Sequence, residues 1–290
     1  MNGSGHGRLG RFLGAAMVAT TATLWGGWAF VIRPSGLLPL QSALVVQLVL
    51  ALPAPFVLLR DRTGFRDRGA VTALAVLGVA DAANIALYFP ALSRGPVAVA
   101  TLTHYLAPVL VAIFAALLPG ERRSRRALAA APLSLAGLLL VLGPPRSAPA
   151  ATALLGAASA VAYAALIFAA RRAARSFSPL AVTSLHAILS ALLLLAVFGA
   201  GIVPPAGPGL LRVGAAAVVL GIVASILFYG GISRISAPVG SAITYLEPVS
   251  AAVIGALFMS EPLRPVAVVG AALVVGTGGW VALERAPGAG

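Results

Sequence analysis

Ten runs of about twenty apolar residues follow one another along the 290 residues, and nothing else limits the fold of this chain as strongly. They lie at about 13–32, 38–59, 69–89, 96–118, 127–143, 150–170, 180–200, 210–230, 238–259 and 265–283. A hydrocarbon layer of roughly 30 Å is crossed by about 20 helical residues rising roughly 1.5 Å each. Short polar or arginine-bearing segments such as 60–68, 119–126 and 143–146 separate the runs and leave no room for a soluble domain. Only 9% of side chains are charged and 60% are hydrophobic, whereas a soluble globule carries about 25% charge. The expected fold is therefore all-α and integral to the membrane, with ten transmembrane helices. Pro39, Pro96, Pro179, Pro238 and Pro265 stand near the starts of spans, where a missing N–H is least costly. The first run follows Arg8 and Arg11, so a cleaved signal peptide competes with a retained helix. Its length exceeds the usual 7–15 apolar residues and it contains Trp25 and Trp28, which favours retention.

The formal charge of +13 would suggest nucleic acid or another acidic partner in a soluble protein. Threading the connections alternately across a membrane places fifteen of the twenty arginines on the side of both termini and five on the other. By the positive-inside rule the termini are cytoplasmic, and the excess charge becomes an orientation signal that also attracts anionic lipid headgroups. No basic patch with interleaved aromatics supports nucleic-acid binding. Cysteine and lysine are both absent. That excludes disulfides, cysteine-ligated metals and a thiol nucleophile, and also a phosphate loop that would let this chain use ATP.

The chain repeats itself. Residues 92–121 align without a gap to residues 232–261, and eleven pairs are identical at an offset of 140, among them Ser93/Ser233, Arg94/Arg234, Tyr105/Tyr245, Leu106/Leu246, Pro108/Pro248 and Glu121/Glu261. Apolar composition alone could match Ala, Val and Leu, but not these polar and proline pairs. The chain is thus two five-helix units, and because five is odd the second enters from the opposite face. Inverted repeats of this kind suit alternating access, in which two similar halves exchange conformations.

Thr103-His104-Tyr105-Leu106-Ala107-Pro108 and Ile243-Thr244-Tyr245-Leu246-Glu247-Pro248, each followed by Glu121 or Glu261, resemble the drug/metabolite transporter superfamily and within it the EamA-like ten-helix exporters. Pro265, Gly270 and Gly276 in the last span extend the resemblance, which covers essentially the full length. It implies a cytoplasmic segment 1–12, a first five-helix repeat 13–143, a second 150–283 and a cytoplasmic tail 284–290, in a bacterial cytoplasmic membrane. It further implies a central cavity lined by helices 3, 4, 8 and 9 with 1, 2, 6 and 7, helices 5 and 10 staying peripheral. The implied activity is outward movement of small metabolites, commonly amino acids and related compounds. Ala107 stands where the second copy has Glu247, so an acidic function at that position sits in one half only.

An ionisable side chain inside a span costs at least about 2.5–3.5 kcal/mol on insertion scales and so marks a functional candidate. Asp81, His104, His186 and Glu247 qualify, with His186 the weaker histidine. Asp81, Asn84 and Tyr88 share one face of the third span by helical spacing. Thr101, His104 and Tyr105 form a polar stripe on the fourth, repeated as Ser241, Thr244 and Tyr245 on the ninth, and the two should face each other across the pseudo-two-fold axis. Pro108 and Pro248 free the carbonyls of His104 and Thr244, as ligand contacts or hinges on one reading and as ordinary compensated kinks on the other. Asp81 and Glu247 are proton carriers on one reading and paired structural carboxylates on the other. Trp25, Trp28, Tyr88, Tyr163 and Tyr229, taken singly, read as packing or interfacial residues. Glu121 and Glu261 read as structural, and Gly276, Gly278 and Gly279 fit either packing or a homodimer through helix 10. No His/Asp/Glu grouping has metal-ligand spacing, and no cofactor is expected. The leading reading is a secondary transporter exporting a small polar metabolite by alternating access with proton coupling. An uncoupled facilitator and an integral-membrane lipid-modifying enzyme are the alternatives, the latter lacking clustered acid and base groups.

Overall fold

The computed structural model describes residues 3–61, 63–118, 121, 123–144 and 147–284, and side chains from residue 8 onward. Arg62, Arg122, Arg146 and residues 285–290 of the expected tail lie outside the described residues, as do residues 1 and 2. All regular structure among the described residues is helical, and ten helices are long and apolar enough to cross a membrane.

Helix 1 runs Gly3–Trp25, breaks at Gly26 and Gly27, and resumes over Trp28–Ile32. Helix 2 comprises Pro39–Ala51 and Ala54–Arg60, helix 3 Arg68–Arg94, helix 4 Val97–His104 and Ala107–Phe114, and helix 5 Arg125–Leu142. The second half repeats the pattern with helix 6 Ala150–Ala173, helix 7 Pro179–Phe198, helix 8 from Pro208–Ala216 to Ala224–Ile232, helix 9 Ala237–Ile243 and Leu246–Phe258, and helix 10 Pro265–Ala282. Within helix 8 the segment Ala217–Val223 is π-helical. Helices 1 and 3 outrun their apolar stretches, helix 1 by starting near Gly3 and helix 3 by continuing through Pro90 to Arg94. Hydropathy marks the part of a helix that lies in hydrocarbon, whereas hydrogen bonding continues into the interface.

The ends follow from local chemistry. Proline occupies the first helical position of helices 2, 7, 8 and 10, where its fixed φ is already helical. The hydroxyls of Ser124 and Ser178 accept from Ala127 N (2.8 Å) and Ala181 N (3.2 Å), and the Asp67 carboxylate accepts from Ala70 N (3.1 Å), each satisfying a donor that a helix start leaves open. Gly143 and Gly199, with φ of +88° and +62°, end helices 5 and 7 in a backbone conformation that glycine adopts without penalty.

Packing obeys the repeat. Helix 3 lies along helix 6, and their counterparts 8 and 1 lie along each other. Helix 4 packs on 6 as 9 packs on 1, while 2 meets 7 and 5 meets 10 across the axis. Gly14 and Gly231 bring helices 1 and 8 together so closely that a Cβ on Gly231 would stand 2.7 Å from the Gly14 carbonyl oxygen. At the 5–10 seam a Cβ on Gly270 would stand 2.4 Å from the carbonyl of Gly137, and the Ser134 and Thr277 hydroxyls are hydrogen-bonded at 2.7 Å. Gly276, Gly278 and Gly279, by contrast, would present an added Cβ to nothing within 4 Å. Gly270→Val should therefore cost about 1–3 kcal/mol through overpacking against rigid backbone, and Gly276→Val almost nothing. Thermal unfolding of the two variants in the same detergent checks this, and equal melting temperatures would contradict the seam.

Candidate transport cavity

A cavity of about 820 Å³ occupies the middle of the bundle. Its deep wall holds Trp25, Tyr163, His186, Phe228, Tyr229 and Glu247, and its mouth is framed by Arg33, Leu92, Val97, Leu142 and residues 261–264. Those mouth residues are the ends of helices 1, 3, 5 and 9 and the starts of 4 and 10, so the cavity opens on the face opposite the termini. Helices 5 and 10 contribute only Val141, Leu142 and Ala267, near that mouth.

Two carboxylates reach the cavity in different surroundings. Asp81, on helix 3, accepts hydrogen bonds from Ser190 Oγ (2.7 Å) and from Gln47 Nε2, and the Gln47 amide also reaches Ser190 Oγ at 3.1 Å. His186 Nε2 lies 3.9 Å from Asp81 Oδ2. The other ring nitrogen of His186 is 2.6 Å from the Val182 carbonyl, which can only accept, so Nδ1 carries a hydrogen. The Tyr229 hydroxyl stands 3.4 Å from Nε2. Asp81, His186 and Tyr229 thus form a chain of proton-bearing groups joining helices 3, 7 and 8. Glu247, at the start of the second piece of helix 9, instead faces phenols: Tyr105 within hydrogen-bonding reach, and Tyr88 and Tyr163 close enough to feel its charge.

Helix 4 supplies the wall between them. Tyr88 donates to or accepts from Thr101 Oγ1 at 3.1 Å and stacks on the His104 ring with centroids 4.2 Å apart. His104 Nδ1 is 2.9 Å from Ser159 Oγ. The helix breaks after His104 because Pro108 brings no N–H four residues on: Tyr105 N still makes the regular bond to the Thr101 carbonyl at 2.9 Å, whereas Leu106 N tightens onto the Thr103 carbonyl at 3.3 Å. Helix 9 breaks likewise at Thr244–Tyr245 ahead of Pro248, with Glu247 N bonded to Thr244 O at 3.0 Å. The two breaks meet where Tyr105 stacks on Tyr245 at 5.7 Å and the Tyr245 hydroxyl donates to the Tyr105 carbonyl at 2.9 Å.

Of the residues singled out from sequence, Asp81, Asn84, Tyr88, Thr101, His104, Tyr105, Glu247 and Pro248 line the cavity. Ser241, Thr244, Tyr245 and Pro108 do not, and all four are buried. Ser241 and Thr244 hydroxyls bond back to the Pro238 and Ser241 carbonyls of their own helix. The cause is the open mouth on one face only. The stripe of helix 4 belongs to the open half, whereas its counterpart in helix 9 belongs to the half that is shut. Gln47 and Ser190 are not among the sequence candidates, because the span 39–59 carries no ionisable residue to mark Gln47 and Ser190 lies one turn from the weaker histidine, His186. Gln47 is nonetheless one of only two glutamines in the chain and lies mid-span. Tyr163, Tyr229 and Trp25, read singly as packing residues, are cavity walls.

The terminal face is sewn shut. Arg171, from the end of helix 6, pairs with Glu121 and donates through Nε to the Ile235 carbonyl at 2.6 Å, while Arg175 Nη2 lies 3.7 Å from the same carboxylate. Glu121 also accepts from Ala237 N at 3.4 Å, so the start of helix 9 and the end of helix 6 are tied to the 4–5 connection. Arg172 grips both oxygens of Asp67 at 2.8 and 2.9 Å, and Ser176 Oγ donates to Asp67 at 2.6 Å. The Ser176 hydroxyl first, then the Arg172 guanidinium and the Ala70 N–H, hold the Asp67 carboxyl down to about 2 from its ordinary 3.8. The contribution of this clasp is complete above the ordinary value and fades as pH falls through about 2. On the open face the ion pair among the described residues is Arg33 with Glu261. Helices 1 and 6 are counterparts, as are Glu261 and Glu121, so the two arginine–glutamate pairs are images of one another. Their exposures differ: Arg171 and Glu121 are 12% and 9% exposed, Arg33 and Glu261 57% and 48%.

The EamA-like transporter family model matches residues 12–143 and again residues 150–278. An uncharacterized transporter from Archaeoglobus fulgidus is 29% identical over 212 residues, covering 69% of this chain and 72% of that protein. A protein of known crystal structure, 28% identical, superposes with a TM-score of 0.74 over 93% of this chain and 97% of its own. Two matched repeats, ten spans arranged about one central cavity, and a transporter among the relatives agree: the chain belongs to the EamA-like transporter family.

Proposed function

We propose that this protein is a secondary carrier that exports a small polar metabolite, an amino acid or related compound, by alternating access coupled to protons. The observation that carries the reading is the cavity itself, open on one face and closed on the other by ion pairs, one of which, Arg171–Glu121, has its repeat-related image exposed at the mouth. A carrier needs two such forms, and inverted repeats supply both from one architecture. With the arginine-rich termini cytoplasmic, the form described is outward-open, the one from which an exporter releases its load and takes up protons. Both proton and substrate have a place, the former at Asp81 with His186 and Tyr229, the latter among the aromatic walls.

Counterflow in proteoliposomes separates a carrier from a pore. Vesicles loaded with an unlabelled candidate amino acid or amine should accumulate its labelled form transiently and saturably. Equilibration at a rate linear in concentration, without trans-stimulation, would mean an uncoupled facilitator instead.

A further inference from the structure

Glu247 and Asp81 bring two carboxylates to the deep half of the cavity, whereas the arginines of its lining stand only at the mouth. The walls around these acceptors are aromatic: Trp25, Tyr88, Tyr105, Tyr163, Phe228 and Tyr229. Faces of such rings attract cations, more strongly once water is expelled.

The guanidinium groups that would pair with a carboxylate are remote from the deep cavity. Arg33 and Arg264 stand at the mouth, Arg33 against Glu261. At the break in helix 9 the N–H groups of Thr244 and Glu247 are taken by the Ser241 and Thr244 carbonyls at 3.2 and 3.0 Å. A zwitterionic amino acid would thus find carboxylates for its ammonium and no guanidinium for its carboxylate at the same depth.

We infer that the deep cavity selects a small organic cation, a primary or methylated ammonium on an apolar or aromatic body with no carboxylate beside it, and that Glu247 is its counter-charge. Asp81, already bonded by Gln47 and Ser190, is left to the proton. The inference rests on the carrier reading and narrows it to amines among the amino-acid-related compounds. Removing the carboxylate from an amino acid yields this class of ligand, so decarboxylation is the type of reaction that would supply it.

Purified full-length protein should be titrated with phenethylamine, phenylalanine and N-acetylphenethylamine, three probes of similar body that are cationic, zwitterionic and neutral. Fluorescence of Trp25 and Trp28 at the cavity reports binding. Phenethylamine should bind at least tenfold tighter than either other probe. Glu247→Gln should bring it level with the neutral probe, and Glu247→Asp, which keeps the charge and tests that the fold survives, should retain a clear preference. Phenylalanine binding as well as phenethylamine, a preference that survives Glu247→Gln, or no saturable binding of the amine would overturn the inference. Counterflow with the same probes keeps the two readings apart. Saturable exchange of phenylalanine alone would uphold the carrier and reject the cation, whereas amine binding without exchange would do the reverse.

Discussion

Glu121→Ala should turn the protein toward the opposite face, and Glu261→Ala should hold it where it is. The Arg171–Glu121 pair is buried at the closed face, and removing one partner of a buried pair costs about 3–5 kcal/mol because the other charge is left stranded. In the inward-open form the exchange of the two halves would expose this pair and bury Arg33–Glu261. Removing Glu121 therefore destabilises the form described far more than its counterpart. Removing Glu261 costs an exposed pair only about 0–1 kcal/mol in the present form, and the larger penalty falls on the other. Even about 1.4 kcal/mol is a tenfold population change. The absence of cysteine from the chain makes the measurement clean. Ser241→Cys, now buried in the shut half, should be labelled by an impermeant maleimide from the terminal face at least ten times faster in Glu121→Ala than in the parent. In Glu261→Ala it should be labelled more slowly. Equal rates in all three backgrounds would show that these pairs are structural and do not govern the exchange, the reading their positions near span ends suggested.

Asp81→Asn should abolish gradient-driven accumulation while leaving exchange. Asp81 faces His186 from helix 7, Tyr229 from helix 8 and the amide of Gln47 from helix 2, with Tyr163 of helix 6 within electrostatic reach. It is the carboxylate built into a relay of proton-bearing groups. An asparagine can still fill the space between Gln47 and Ser190 but cannot gain or lose a proton. For one proton per substrate, one pH unit across the membrane, about 1.36 kcal/mol, sustains a tenfold concentration ratio. Proteoliposomes holding such a gradient should reach that ratio with the parent and a ratio near one with Asp81→Asn, counterflow persisting in both. Glu247→Gln serves as the second arm. Undiminished coupling in both variants would leave protons without a role at either carboxylate.

The ten spans were legible because the pattern is set by hydrocarbon thickness alone, and the doubling because Tyr105/Tyr245, Pro108/Pro248 and Glu121/Glu261 keep one offset. Asp81, Asn84 and Tyr88 were legible as one face because helical spacing is a local rule. What the sequence could not contain is which half is open. Ser241, Thr244 and Tyr245 mirror Thr101, His104 and Tyr105, so any symmetric reading places both sets on a cavity, yet a single conformer opens toward only one. Gln47 and Ser190 stayed hidden for a different reason, since neither carries a charge whose burial would draw notice and their meeting with Asp81 depends on packing among helices 2, 3 and 7. The reach of Glu247 toward phenols on helices 3, 4 and 6 is likewise a tertiary fact.

The π-helical segment of helix 8 falls where the repeat places Gly221 against Asp81. A π turn accommodates an extra residue, and beyond it Phe228 and Tyr229 line the cavity where helix 3 has Tyr88 and Phe89. The two halves do not match in chemistry: Asp81 of the first stands against Gly221 of the second, and Glu247 of the second against Ala107 of the first. In a carrier that alternates between two forms, such asymmetry would leave the two ends of the cycle unequal in energy even without any gradient, a built-in resting side.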